Sequence, residues 1–214
     1  MATGRAHRTT GLRGDVDGDG IRDHVFVQSH GSAPPECRYM LIVTSRAHTW
    51  QAPIRQQGLE EPGGAEAGRS WPLLGLPDVN ALLRFADDAE LVVSVTTWVS
   101  ASDVYVGLFK IMGGSLVRLH VERVSPPDTF SNGGSLAGIS AVDCDHRAIV
   151  FSQAGERGRG WRVARRKFIL TGETFRDGRG LKVVHAARLP PEFGTRQGTV
   201  AFRSCSVARN RRIF

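Results

Sequence analysis

From residue 90 to the C-terminal region, apolar and β-branched side chains alternate with polar ones in short runs: Leu91 to Trp98, Val104 to Met112, Ser115 to Val121, Arg147 to Gln153, Trp161 to Leu170 and Leu181 to Ala186. A period of two, rich in Val, Ile, Phe and Thr, predicts half-buried strands. Met112-Gly113-Gly114-Ser115 supplies the Gly-Gly pair of a two-residue hairpin turn, and Thr171-Gly172-Glu173 and Asp177-Gly178 add further turn signals. Nearer the N-terminus, His24 to His30 predicts a first strand and Ser32 to Glu36 a turn. Arg38 to Arg46 predicts a second strand with Met40, Ile42 and Thr44 on one face and Tyr39, Leu41 and Val43 on the other, both partly covered. Residues 55–70 lack periodicity and hold Gly58, Pro62, Gly63, Gly64 and Gly68, the composition of a mobile loop, after which Trp71-Pro72-Leu73-Leu74 re-enters the core. The only helical signal is Asp78 to Phe85, a short turn with Asp78 as its cap.

The expected fold class is therefore mainly β, with antiparallel hairpin-rich sheets and little helix. Residues 1–13 are expected to be a flexible leader, 14–188 a single β domain, and 189–214 a basic C-terminal segment ending in a solvated Arg209-Asn210-Arg211-Arg212 tail.

One stretch departs from the strand pattern in a chemically informative way. Asp15-Val16-Asp17-Gly18-Asp19-Gly20-Ile21-Arg22-Asp23 sets carboxylates at relative positions 1, 3, 5 and 9, with Gly at 4 and 6. Ca²⁺ takes six to eight oxygen ligands, and a loop that wraps it needs Gly where φ turns positive. Asp15, Asp17, Asp19 and Asp23 would offer carboxylates, and Ile21 its carbonyl. An ordinary Asp/Gly turn is the competing reading. An EF-hand is excluded, because position 12 is Phe26 rather than Glu and the loop runs into a strand.

An aspartate loop that feeds directly into a strand resembles the calcium loops of VCBS and FG-GAP repeats. Gly14 to Val27 carries that likeness. Looser matches at Val104–Ile111, Gly113–Leu119, Asn132–Ser135 and Val142–Cys144 are similar to the later part of small actinobacterial secreted or lipid-anchored proteins with such repeats. The resemblance implies bound Ca²⁺, a location outside the cell or at its envelope, a structural or binding role rather than an enzymatic one, and an envelope polymer or another protein as partner. Laying Glu90-Leu91-Val92-Val93 over Asp23-His24-Val25-Phe26, an offset of 67, suggests two degenerate repeats over about 14–76 and 77–188. Under it the loop at Leu82–Glu90 is a copy stripped of its ligands. Two repeats cannot close a propeller, so a barrel-like or sandwich-like assembly, or two packed blade-like units, is expected.

Composition adds a division of charge. The net charge is +7 over 214 residues, and 25 of the 28 basic residues are Arg. Residues 15–103 carry 13 acidic and 6 basic side chains, whereas residues 104–214 carry 8 acidic and 19 basic. A basic second half admits an anionic partner, or reflects codon composition alone. No run approaches the length of a membrane helix, and Met1 to Gly14 holds no apolar signal core, which stands against the location that the resemblance implies and leaves a cytoplasmic setting open. Cys37, Cys144 and Cys205 allow one disulfide; Cys144–Cys205 is the preferred pair, because both lie in the β-patterned half.

Other chemistry is sparse. Asp143-Cys144-Asp145-His146 gathers a thiol, carboxylates and an imidazole, yet strand neighbours point to opposite faces, so no catalytic residue is proposed. An unrecognised hydrolase stays the remotest alternative. An intracellular nucleic-acid binder is the nearer one: Arg162, Arg165, Arg166 and Lys167 interleave with Trp161 and Phe168 as a phosphate-tracking surface would. On alternation Arg162 and Arg166 share one face and Arg165 and Lys167 the other, and charge on both faces predicts an exposed edge strand.

Overall fold

The computed structural model describes residues 7–30, 38–54, 77–85, 90–98, 103–124, 128–135, 138–145, 147–178, 180–193, 202 and 204–209. They form two sheets. The first contains β1 (His7–Arg8), β2 (Leu12–Gly14), β3 (Asp23–Ser29), β4 (Tyr39–Thr44) and β5 (Thr49–Pro53), all antiparallel, with β1 and β2 sharing β3 as partner. The second contains β6 (Asp78–Leu83), β7 (Val92–Trp98), β8 (Asp103–Met112), β9 (Ser115–Arg118), β10 (His120–Val121), β11 (Phe130–Ser135), β12 (Gly138–Asp145), β13 (Ala148–Arg157), β14 (Gly160–Thr171), β15 (Thr174–Asp177), β16 (Lys182–Ala186) and β17 (Ser206–Arg209). Its order is β10-β15-β14-β13-β12-β11-β8-β7-β6-β17, with β9 on β8 and β16 on β14. The pairings are antiparallel except β10 with β15. The chain is thus mainly β and hairpin-rich, with no α-helix among the described residues and no closed barrel.

Turn chemistry fixes the hairpins. Met112 pairs with Ser115 across Gly113 and Gly114, both at positive φ (55° and 78°), the conformation whose twist matches the flanking strands. Gly158 (φ 62°) and Gly172 (φ 60°) open the equivalent two-residue turns between β13 and β14 and between β14 and β15.

Two apolar layers follow from the alternation. Val25, Val27, Leu41 and Val43 of the first sheet pack on Val79, Leu82, Val93, Val95, Phe109 and Ile111 of the second. A bulge at Asn80 keeps Val79 and Leu82 on this same face although they are three residues apart. The opposite face of the second sheet closes over Leu83, Val92, Leu108, Phe130, Ile149, Phe168, Phe175 and Phe202. Cys144 on β12 and Cys205 beside β17 are bridged across this layer with Cα atoms 6.0 Å apart. Five strand spacings separate β12 from β17 in the sheet order, about 24 Å if the sheet were flat. The bridge therefore requires the sheet to curl until its β17 end comes back to β12.

Several expectations need correcting. Residues 7–13 of the leader are not free chain: β1 and β2 pair with β3, because Leu12 finds a place in the inter-sheet core. Asp78 to Phe85 begins with a strand, not a helical turn. Leu82 and Leu83 are buried on opposite faces, a demand only extended backbone meets. The basic C-terminal segment contributes Phe193, Phe202 and Cys205 to the core, and Arg209, placed in the solvated tail from sequence, lies in β17 and donates to the Phe202 carbonyl. Nor is β14 an edge strand; β13 lines one side and β15 with β16 the other. The 55–70 loop, Trp71 to Leu74, Cys37, His146 and Asn210 to Arg212 lie outside the described residues.

Candidate metal centre

The aspartate loop leaves β2 at Gly14 and joins β3 at Asp23, two residues that face each other across the ladder. Gly18 (φ 81°) and Gly20 (φ 87°) take the left-handed conformation that a side chain resists. With those turns made, the carboxylates cap the loop's own amides. Asp15 accepts from the Gly18 and Gly20 N–H groups (2.9 and 3.0 Å), Asp17 from Asp19 (3.2 Å) and Asp19 from Ile21 (2.7 Å). One oxygen each of Asp15, Asp17 and Asp19 lies within 4.8 Å of the others. Oxygens bound to a single Ca²⁺ at about 2.4 Å can be no more than about 4.8 Å apart, so the triad has the span of one cation's ligands. Without a counter-charge, each pair repels by about 0.9 kcal/mol even at the dielectric of bulk water.

Asp23 is not in that triad but behind it, 1% exposed. Its Oδ2 accepts the Val16 N–H at 2.8 Å, while Oδ1 is buried with no hydrogen-bond partner. Burial pushes its carboxyl above the usual carboxylate range, the Val16 and Asp17 backbone amides oppose that, and the charges of Asp17 and Asp19 add to it. An orphaned anionic oxygen beside three hard oxygen donors suits a hard cation such as Ca²⁺ and not a soft one. Ile21 lies at the loop's surface, its side chain 46% exposed.

The loop is tied to the core at Val16, a residue to which the cation-loop pattern gives no role. Its side chain is fully buried between the sheets, and its carbonyl accepts the Leu91 N–H at 3.2 Å. An apolar residue directly between two aspartates was the available signal. Gly14 also sits at a close approach: a Cβ there would meet Leu82 Cδ1 at 2.6 Å and Leu91 Cδ1 at 3.2 Å.

The β6–β7 hairpin stands against this loop in the second sheet. Gly14 pairs with Asp23 and Leu83 with Val92, so each connection has eight residues and equivalent positions are 69 apart, not 67. Arg84 then stands where Asp15 does and buried Val92 where Asp23 does. A cation loop is not encoded there under either offset.

The remaining candidates are dispersed. Arg165 pairs with Glu192, and Lys167 with Asp145, whose carboxyl is held low chiefly by that hydrogen bond. Arg162 and Arg166 face the other way, as the unbroken β13–β14 register requires. Cys144 is consumed by its disulfide, which removes the thiol from the Asp143–His146 cluster. No protein-family model, curated protein or solved structure matches this chain.

Proposed function

We propose that this protein is a non-enzymatic β domain stapled by one Ca²⁺ held by Asp15, Asp17 and Asp19 with the Ile21 carbonyl, with the Asp23 carboxylate standing behind these ligands, and that it serves a structural or binding role outside the cell or at its envelope. The observation that carries the reading is the convergence of three carboxylates beside a buried, unpartnered Asp23 oxygen. Bound Ca²⁺ supplies charge neutralisation at these oxygens. The chain's own part is to present them: Gly18 and Gly20 turn the backbone, and Val16 anchors the loop between the sheets. Likeness of Gly14–Val27 to VCBS and FG-GAP loops supports the same reading and its extracellular setting, with an envelope polymer or another protein as partner.

Thermal melting of the full chain in chelator, Ca²⁺ or Mg²⁺ tests it. Linkage adds about 2.7 kcal/mol when free Ca²⁺ is about 100 times Kd. For a chain of this length that is a rise of about 5 to 11 °C, larger with Ca²⁺ than with Mg²⁺. Asp17→Ala should abolish the rise. A melting curve unmoved by Ca²⁺, with Asp17→Ala behaving as wild type, refutes the reading.

A further inference from the structure

The four basic residues of β14 are not equivalent. Those facing the short Pro191–Phe193 turn and β12, Arg165 and Lys167, are neutralised by Glu192 and Asp145. On the opposite face Arg162 is exposed and Arg166 half-buried, and neither forms an ion pair with an acidic side chain among the described residues. They lie four residues apart on one strand, about 13 Å. Between them Ala164 faces Val183 across the β14–β16 ladder, and Arg162 faces His185. Val183 is 38% exposed, and Leu181, just before β16, is 51% exposed. They are two of only five large hydrophobic side chains exposed among the described residues. The cross-strand positions on β13, Phe151, Gln153 and Gly155, add no carboxylate.

We infer that this face of β13, β14 and β16 docks on an anionic phospholipid bilayer, with Arg162, Arg166 and His185 meeting headgroup phosphates while Leu181 and Val183 enter the interface. Basic and aliphatic side chains gathered at the exposed end of this face, before Phe168 enters the core, match both layers of a bilayer surface, the anionic headgroups and the acyl boundary beneath. Guanidinium groups prefer phosphate, which they engage with paired donors. A single-stranded nucleic acid fits the face less well, because it calls for exposed aromatic platforms. Trp161 is turned to the other face of β14 against Val163 and Phe193, and Phe151 is partly covered at 5.7 Å from the Phe130 ring. Docking would be peripheral: no helix among the described residues is long and apolar enough to cross a membrane. The inference does not rest on the calcium loop, whose residues lie on the other sheet's edge.

Co-sedimentation of the full chain with vesicles decides it. Binding is expected to phosphatidylcholine vesicles containing phosphatidylglycerol and not to phosphatidylcholine alone, and to weaken as salt is raised. Each arginine near an anionic surface contributes about a factor of five, so Arg162→Gln with Arg166→Gln should lower the partition coefficient roughly thirtyfold. Lys167→Gln with Arg176→Gln removes the same charge from the opposite face and should leave it within about twofold, each variant first checked for native circular dichroism. Leu181→Ser with Val183→Ser should lower binding and leave the remainder wholly salt-sensitive. Equal binding to neutral vesicles, equal losses for the two charge pairs, or retention of an oligonucleotide without any vesicle binding overturns the proposal.

Discussion

Asp23 gives the sharpest perturbation, because what it costs the protein depends on whether a cation is present. One of its oxygens is buried without a hydrogen-bond partner among the described residues, while the other holds the Val16 amide. A buried acceptor left unsatisfied costs about 1–3 kcal/mol. Asp23→Asn keeps an oxygen for Val16 and removes the charge, but it places an amide NH2 where the orphan was, so the lower end applies. We expect a gain of about 1 kcal/mol in chelator near pH 7, a rise of about 2–4 °C in melting temperature. In saturating Ca²⁺ the order should reverse, since the wild type keeps a negative charge behind the cation's ligands that the variant lacks. The pH dependence has the same origin. The folded-state pKa lies above the ordinary 3.8. The folded chain therefore keeps a proton in a window where the unfolded chain has lost it, and the contribution is full below 3.8 and lost as pH rises through the folded pKa. Wild-type protein in chelator should lose stability across that window, and Asp23→Asn should lose less. Melting followed by circular dichroism in chelator and in Ca²⁺, from about pH 4 to about pH 7, reads all three effects. A variant less stable than wild type in chelator, with an unchanged calcium response, would show that Asp23 is only the acceptor that closes the turn.

Two further outcomes test the frame around the loop. The Cys144–Cys205 bridge spans 61 residues, so replacing both with Ala should cost about 4 kcal/mol by chain entropy and lower the melting temperature by about 8–16 °C, read by calorimetry against wild type. Gly14→Ala places a methyl group against buried Leu82 and Leu91 and should cost about 1–3 kcal/mol in urea denaturation. Because Gly14 borders the loop, Ca²⁺ affinity measured by calorimetric titration should fall as well.

Much of the architecture is local and was readable as such. Period-two alternation located the runs that became β3, β4, β7, β8, β13, β14 and β16, and the Gly113-Gly114 pair made its hairpin, because backbone pleat and turn dihedrals are set by neighbouring residues. Among the strands that escaped notice, β11, β15 and β17 are short or rich in glycine and hold their shape through partners distant in sequence. The Asp78–Phe85 stretch misled for a related reason. Val79, Leu82 and Leu83 have a helix-like spacing, which the bulge at Asn80 reconciles with a strand.

For the candidate site, the sequence by itself determined the aspartates and glycines of 15–23, since a cation loop needs its donors and positive-φ turns within a few consecutive residues. It also determined which faces of β14 the basic residues occupy, through strict alternation. Only the tertiary structure decided that Asp23 stands buried behind the triad, that Val16 fastens the loop to the second sheet, and that Glu192 and Asp145 neutralise one face of β14 while Arg162 and Arg166, on the other, meet no acidic side chain among the described residues. Those outcomes depend on which strands become neighbours. Cross-strand partners such as Arg162 and His185, or Leu91 and Val16, are chosen by the burial of whole sheets, a property of the fold that no short window of sequence contains.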